Sequence, residues 1–181
     1  MFFEVLAYYG LMFYVYCFLG WCFESSYVSL CHLSPENRGF VSGPFVIIYG
    51  VCAMILISMQ NFLLQNILLA YFVGAAVITI IEYATGEVMQ IIFGKRYWDY
   101  SRQPFNYKGH ICLSSSVAWG FMAVLLIKYI NPAVESFISM ADTTGIIIAA
   151  FTASVYFAAD YIESFRREYS NVSYKLIHLF G

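Results

Sequence analysis

Long apolar stretches occupy most of the chain, with short polar segments between them. Five stretches stand out, over about residues 5–30, 43–58, 67–92, 111–130 and 146–165. A helix rises about 1.5 Å per residue and a hydrocarbon core is about 30 Å thick, so we expect each stretch to cross a membrane. Backbone groups in lipid must pair within the protein, which favours helices. The pattern predicts an all-α, polytopic transmembrane helical bundle of about five spans.

The second of these stretches carries a proline close to its start, in the pair Gly43-Pro44. Proline suits the first turn of a helix, where its missing N–H costs no hydrogen bond. We therefore expect the second span to begin as a helix at about residue 43.

Basic residues are distributed unevenly between the polar segments. Eight of the nine fall in the first loop, in the third loop (residues 94–110) or after the fifth span: Arg38, Lys95, Arg96, Arg102, Lys108, Arg166, Arg167 and Lys175. With five spans these segments share one side, and excess Lys and Arg mark the cytoplasmic side. The pattern predicts an N-terminus outside, a cytoplasmic loop 94–110, a cytoplasmic C-terminus and an interfacial tail over residues 166–181.

The composition supports a membrane location and argues against other classes. The chain has 181 residues, of which 61% are hydrophobic and 11% are charged, whereas a soluble domain carries about 25% charged residues. Five spans use most of this length, so we treat residues 1–181 as a single integral membrane domain without a separate catalytic domain. The net charge is −2 and there is no basic arm, so the expected partner is a lipid bilayer and not nucleic acid.

Several carboxylates interrupt the apolar stretches. Glu24, Glu82, Glu87 and Asp160 fall in the first, third and fifth spans, and an ionised group at the centre of a span costs about 2.5–3.5 kcal/mol to insert. These three spans run in one direction, with their carboxylates near the midplane or in the cytoplasmic half. If the helices meet, the carboxylates form one acidic site that opens to the cytoplasm. Such a site suits a cation, a proton relay or a cationic solute.

Structural pairing is the alternative for each carboxylate. Asp160 and Glu163 lie in the last turns of the fifth span and can pair with Arg166 or Arg167, which stand three and four residues after Glu163. Glu24 and Glu87 can pair with basic residues of the loops, for which the candidates are Arg38, Arg102 and Lys108. Glu82 is the deepest and lies furthest from an obvious partner, so it is the strongest functional candidate.

The loop 94–110 combines polar, aromatic and basic residues. Six side chains in the loops are candidate substrate-binding or ion-binding groups: Trp98, Asp99, Arg102, Asn106 and His110 here, and Arg38 in the first loop. A histidine in an ordinary environment titrates near neutral pH. The loop is either an interfacial connector held by charge pairs, such as Asp99 with Arg96 or Arg102, or a lid beneath the acidic site.

The first and third loops share a short pattern. Each places an Asn, a basic residue and a Gly before an apolar span: Asn37-Arg38-Gly39-Phe40 in one and Asn106-Tyr107-Lys108-Gly109-His110 in the other. Both loops join a helix that runs towards the cytoplasm to one that runs away from it. The pattern suggests a weak repeat of two helical hairpins followed by a fifth helix.

Specific residues also resemble those of a known membrane family. They include the segments Asn37-Arg38-Gly39-Phe40, Gly43-Pro44-Phe45, Tyr49-Gly50, Glu82-Tyr83, Tyr97-Trp98-Asp99-Tyr100-Ser101, Pro104-Phe105-Asn106, Gly109-His110-Ile111-Cys112-Leu113 and Trp119-Gly120. Over about residues 8–125 the chain resembles the bacterial ABC-transporter type IV family, also called CmpB-like. The resemblance implies a multi-pass protein of the bacterial plasma membrane with a permease role.

Three functions remain open. The carboxylates favour a small permease or transporter subunit, which would need a separate ATPase subunit for ATP-driven transport because no Walker motif occurs. A chain of this size would act as a homodimer to enclose a path. The alternatives are a non-catalytic assembly or regulatory protein and an intramembrane enzyme that modifies lipids with a carboxylate-bound divalent cation. No common catalytic motif supports the enzyme, and the sequence identifies no cofactor.

Overall fold

The chain forms helices joined by two long loops and one short hairpin. The computed structural model describes residues 2–37 and 39–180, with side chains described as far as residue 170. Its elements are α1 (Phe2–His32), α2 (Ile47–Ser58), α3 (Gln60–Leu63), α4 (Ile67–Phe93), β1 (Asn106–Tyr107), β2 (Ile111–Cys112), α5 (Leu113–Leu125), a π-helical turn (Leu126–Ile130), α6 (Asn131–Ile138) and α7 (Thr143–Phe180).

Four of the predicted spans correspond to long apolar helices. Within the described residues, the helical stretches long and apolar enough to cross a membrane are Phe2–His32, Ile67–Phe93, Leu113–Ile138 and Thr143–Ser170. They match the first, third, fourth and fifth predicted spans. The third of these stretches is α5, the π-helical turn and α6 taken together. The chain is therefore a membrane protein.

Helix α2 is shorter than the sequence pattern predicts. It has 12 residues, or about 18 Å of length, and it begins only after Pro44, so the prediction of a helix from residue 43 is wrong. The amide of Gly43 donates to Asp160 on α7, and the amide of Val46 donates to the carbonyl of Cys17 on α1. The amide of Phe45 donates to the carbonyl of Gly43 at 2.8 Å and Val46 is extended (φ −118°, ψ 101°), so residues 43–46 form a turn and not the first turn of a helix. A fifth membrane crossing stays a prediction.

The first loop (residues 33–46) folds back along α1. Cys17, which accepts the hydrogen bond from Val46 at 3.0 Å, lies fifteen residues before the end of α1. That spacing corresponds to about 22 Å along the helix. The indole of Trp21 also donates to the side chain of Asn37 at 2.7 Å. The loop therefore returns along about half the length of α1 before α2 begins.

The third loop folds back along α4 in the same way. The hydroxyl of Tyr100 reaches Glu82, which lies eleven residues, or about 16 Å, before the end of α4. Strands β1 and β2 then form an antiparallel hairpin that leads directly into α5. Positive φ at Lys108 (53°) and Gly109 (72°) allows the tight return between the strands. The end of the molecule that carries both loops is called the loop end below.

The core lies around α2, which packs against both α1 and α4. One apolar cluster joins α2, α3, α4 and α5 and includes Leu56, Ile78 and Ala123. A second joins α1, α2 and α6 and includes Met12 and Val134. Helices α4 and α5 form a close antiparallel pair, and α7 packs mainly on α1. The two loops therefore fold back against helices that pack closely on one another.

Candidate functional site

The carboxylate of Glu82 is buried between α4, α5 and the third loop, with 4% of the residue exposed. The indole of Trp119 donates to Oε2 at 2.9 Å, and the hydroxyl of Tyr100 donates to Oε1 at 3.1 Å. Both carboxylate oxygens thus have a side-chain donor. A buried charge with hydrogen-bond partners is far less costly than an isolated one.

Close packing of α4 and α5 brings Trp119 to Glu82. A Cβ on Gly74 would come within 2.1 Å of the Cβ of Ala123, so only glycine allows this approach. One step along the same interface, Thr79 donates to Ser116 at 2.9 Å. Trp119 and Ala123 are four residues apart and therefore share a face of α5.

The third loop is braced so that Tyr100 points towards Glu82. The amide of Tyr100 donates to the carbonyl of Gly109 at 2.8 Å, and the indole of Trp98 donates to the carbonyl of His110 at 2.8 Å. Burial raises the pKa of the Tyr100 phenol, the Glu82 carboxylate raises it further, and Glu24 adds a smaller increase. Glu24 therefore lies in the same electrostatic environment as Glu82 and Tyr100.

Aromatic rings from α2 and α5 complete this environment. The rings of Tyr49 and Trp119 meet edge to face with centroids 6.0 Å apart. Tyr49 lies against Gly20 of α1, where an added Cβ would come within 2.2 Å of the tyrosine ring. The buried carboxylate site, defined as Glu82 with Tyr100, Trp119 and the nearby Glu24 and Tyr49, thus draws on α1, α2, α4, α5 and the third loop.

Glu87 belongs to a second set, one turn nearer the loop end. Lys108 Nζ lies 2.8 Å from its Oε1, the hydroxyl of Tyr83 donates to the same oxygen at 2.9 Å, and His110 Nε2 lies 3.8 Å away. The hydrogen bond that Lys108 donates to Glu87 holds the pKa of the ammonium above its usual range. Of the basic partners considered for Glu87, the structure selects Lys108. The His110 ring packs on Gly86, where an added Cβ would come within 2.8 Å of His110 Nδ1.

Asp160 forms a third set, with the first loop. Its Oδ2 accepts the amide of Gly43 at 2.8 Å, and its Oδ1 accepts the amide of Ser42 at 3.2 Å. Arg167, one of the expected partners, donates instead to the hydroxyl of Ser42 at 2.8 Å. The described contacts of Asp160 are therefore with loop backbone, and they do not include the other carboxylates.

The remaining loop candidates mainly hold the third loop in shape. The side chain of Asn106 donates to the carbonyls of Ser101 and Gln103 and accepts the amide of Gly109. Asp99 accepts the hydroxyl and the amide of Ser101, and it also pairs with Arg96 at 3.2 Å. These Ser101 contacts and Arg96 outweigh desolvation and lower the Asp99 pKa.

Two further loop candidates were predicted, Arg102 and Arg38. Arg102 is exposed, and within the described part of the chain it forms no hydrogen bond or ion pair. Arg38 lies outside the described residues. Two residues that sequence reasoning left out of the site, Tyr100 and Trp119, supply the donors to Glu82. The sequence could have indicated them, because a buried phenol or indole needs a hydrogen-bond partner and Glu82 offers two acceptor oxygens.

No metal-binding cluster is evident in residues 2–37 and 39–170. Within that part of the chain, no three His, Cys, Asp or Glu side chains are arranged to hold a metal ion. The divalent cation considered from the sequence therefore stays a prediction.

These features define a helical membrane protein with a carboxylate buried among its helices. The family described as "Putative ABC-transporter type IV" matches residues 11–165 of the 181, and the chain belongs to this family. The match confirms the resemblance stated from the sequence. Neither a curated protein nor a solved structure matches the chain.

Proposed function

We propose that the chain is a small permease or transporter subunit in which Glu82 binds a cation or a proton during transport. The single observation that carries this proposal is the burial of Glu82 in an apolar helix, with side-chain donors on both carboxylate oxygens. Ionisable residues inside spans are expensive, and they commonly belong to ion pathways or proton relays.

The nature of the donors supports a functional role for Glu82 over a purely structural one. Tyr100 and Trp119 contribute side chains, which can change rotamer without breaking a helix or a strand. Tyr100 also belongs to a loop and covers Glu82 from the loop end. Movement of this loop would therefore open the carboxylate towards the side that we infer, from the basic residues, to be the cytoplasm.

The proposal includes a topology and partners. We infer five spans, an outside N-terminus and a cytoplasmic C-terminus in a bacterial plasma membrane. A homodimer would enclose a path that a chain of 181 residues is too small to form alone. The energy source would be an ion gradient or a separate ATPase subunit that contacts the cytoplasmic loops.

Flux through reconstituted vesicles tests the role of Glu82. We expect the wild-type protein to dissipate an imposed pH gradient, read by a trapped pH dye, or a gradient of one of a series of monovalent cations, read by uptake of the labelled cation. Glu82→Gln should abolish this flux, because the amide keeps the size of the side chain but carries no charge. Glu163→Gln is the matched control, since it removes an exposed carboxylate from α7.

Stability measurements decide how the flux result is interpreted. Glu82→Gln should elute as a single species and keep the helical content of the wild type. A folded Glu82→Gln variant with wild-type flux would contradict the transport role. That outcome would leave the assembly or regulatory function, for which the buried carboxylate would serve only to fix the packing of α4 and α5.

A further inference from the structure

A cleft of about 610 Å³ lies beside the buried carboxylate site, between the last turns of α4 and the third loop. Its polar lining includes Glu87 and Gln90 from α4 and Arg96, Ser101 and Lys108 from the loop. The cleft opens to the surface, in contrast to Glu82, which is closed off by Tyr100 and Trp119. It is therefore a separate candidate site.

Two cations and one carboxylate line the cleft side by side. Lys108 lies 2.8 Å from Glu87 and has half of its side chain exposed, so ammonium protons remain for another partner. Arg96 is oriented by Gln90 through Nε and by Asp99 through Nη1. The described hydrogen bonds of Arg96 leave its Nη2 group available.

A glycine allows Arg96 to lie against the backbone next to Lys108. A Cβ on Gly109 would come within 2.6 Å of Arg96 Nη1, so the guanidinium lies over the residue that follows Lys108. Gly109 also has φ +72°, a conformation that favours glycine. The arrangement can bind a phosphate with the two cations and an ammonium with Glu87.

The rim of the cleft is apolar. Ile91 of α4 lines the cleft and is 77% exposed, and Val88 on the preceding turn is half exposed. On the hairpin side, Phe105 is 82% exposed and Tyr107 is more than half exposed. Exposed aliphatic and aromatic side chains beside a polar cleft at the end of a spanning helix suit the headgroup zone of a bilayer.

We propose that this cleft binds the headgroup of a zwitterionic phospholipid that carries a primary amine. Its phosphate contacts Lys108 and Arg96, its ammonium contacts Glu87, and its acyl chains lie along Ile91 and Val88. The defining chemistry is a phosphate next to an ammonium group. The proposal does not rest on transport by Glu82, because the two sites share no side chain.

Native mass spectrometry of protein released from nanodiscs tests this assignment. The nanodiscs contain equal amounts of phosphatidylethanolamine and phosphatidylglycerol. We expect retained phosphatidylethanolamine to exceed phosphatidylglycerol, and Lys108→Gln to weaken its retention by about tenfold, the loss typical of one charge-assisted hydrogen bond. Lys108→Arg should keep it. Lys128→Gln, a change of an exposed lysine on the π-helical turn, is the matched control and should have no effect.

A second pair of variants tests the close approach of Arg96 to Gly109 and controls for the cost of alanine at positive φ. Gly109→Ala and Gly94→Ala both place alanine at positive φ, but only the Gly109 methyl would contact Arg96 and Ser101, whereas Gly94 has open space. Gly109→Ala should therefore reduce lipid retention, and Gly94→Ala should not.

Three results would overturn the proposal. Equal retention of the two lipids would exclude recognition of the ammonium. Retention by Lys108→Gln equal to that of the wild type would exclude the cleft. Displacement of the lipid by soluble phosphoethanolamine at similar concentration would exclude a membrane source and assign the site to a free phosphate compound.

Discussion

The first and third loops fold back into the molecule in the same way, but they engage carboxylates by different chemistry. In the first loop, Asp160 accepts the backbone amides of Ser42 and Gly43. In the third loop, Glu82 accepts side-chain donors from Tyr100 and Trp119. One carboxylate therefore fixes the path of the backbone, and the other holds groups that can move away.

This difference separates two roles for carboxylates in apolar helices. Non-helical backbone at membrane depth is tolerated only where the protein satisfies its amides, and Asp160 does so for the segment before α2. Without Asp160 the amide of Gly43 has no other acceptor among the described hydrogen bonds, whereas the amide of Ser42 also donates to the hydroxyl of Ser164. The described hydrogen bonds of Glu82 are with side chains, whereas the amides of Tyr100, Ser101 and Gly109 pair within the third loop itself.

The largest expected effect is a loss of stability on removal of Asp160. Asp160→Ala leaves the buried amide of Gly43 without its acceptor, whereas the amide of Ser42 keeps the hydroxyl of Ser164 at 3.2 Å, so we expect a loss of about 1–3 kcal/mol, the cost of one unsatisfied buried group. The midpoint of thermal unfolding in detergent measures this change. Glu163→Ala, three residues further along α7, is the control and should have a small effect. Equal midpoints for Asp160→Ala and wild type would show that Asp160 does not stabilise the first loop.

The long helices could be predicted from the sequence because apolar runs of this length have few other stable forms in lipid. The start of α2 could not be predicted. Pro44 matches a helical first turn, yet Gly43 is bound by a residue 117 positions away, and a local pattern carries no information about such a contact. Tertiary hydrogen bonds therefore override the local preference.

The candidate site was predictable in its central residue and not in its partners. Glu82 stands out because a deep carboxylate in an apolar helix is costly. Its donors come from a different helix and from a returning loop, and the choice of Lys108 for Glu87 depends on the same return. Three loop bases fitted the sequence equally well, and only the fold of the loop separates them.

A smaller effect is expected when the hydroxyl of Tyr100 is removed. Tyr100→Phe keeps the ring and deletes one donor to Glu82, which should cost about 1 kcal/mol, the usual net contribution of one hydrogen bond. A double-mutant cycle with Glu82→Ala, which removes both acceptor oxygens, should give a coupling energy of about 1 kcal/mol. Thermal unfolding of the four proteins measures it. Additive effects would mean that the two groups do not interact, and Glu82 would lose its link to the loop.

The smallest expected effect comes from Asp99, which braces the third loop at its exposed surface. Its pKa lies below the ordinary value of about 3.9, because the hydroxyl and amide of Ser101 and the guanidinium of Arg96 hold the ionised form. A carboxylate with a lowered pKa stabilises the folded state fully above its ordinary pKa, and this stabilisation is lost as the pH falls through the lowered value. The difference in unfolding midpoint between wild type and Asp99→Asn should therefore be constant near neutral pH and shrink below about pH 4. A difference that grows as the pH falls would show that Asp99 is held as the neutral acid, and the third loop would then depend on a different bond.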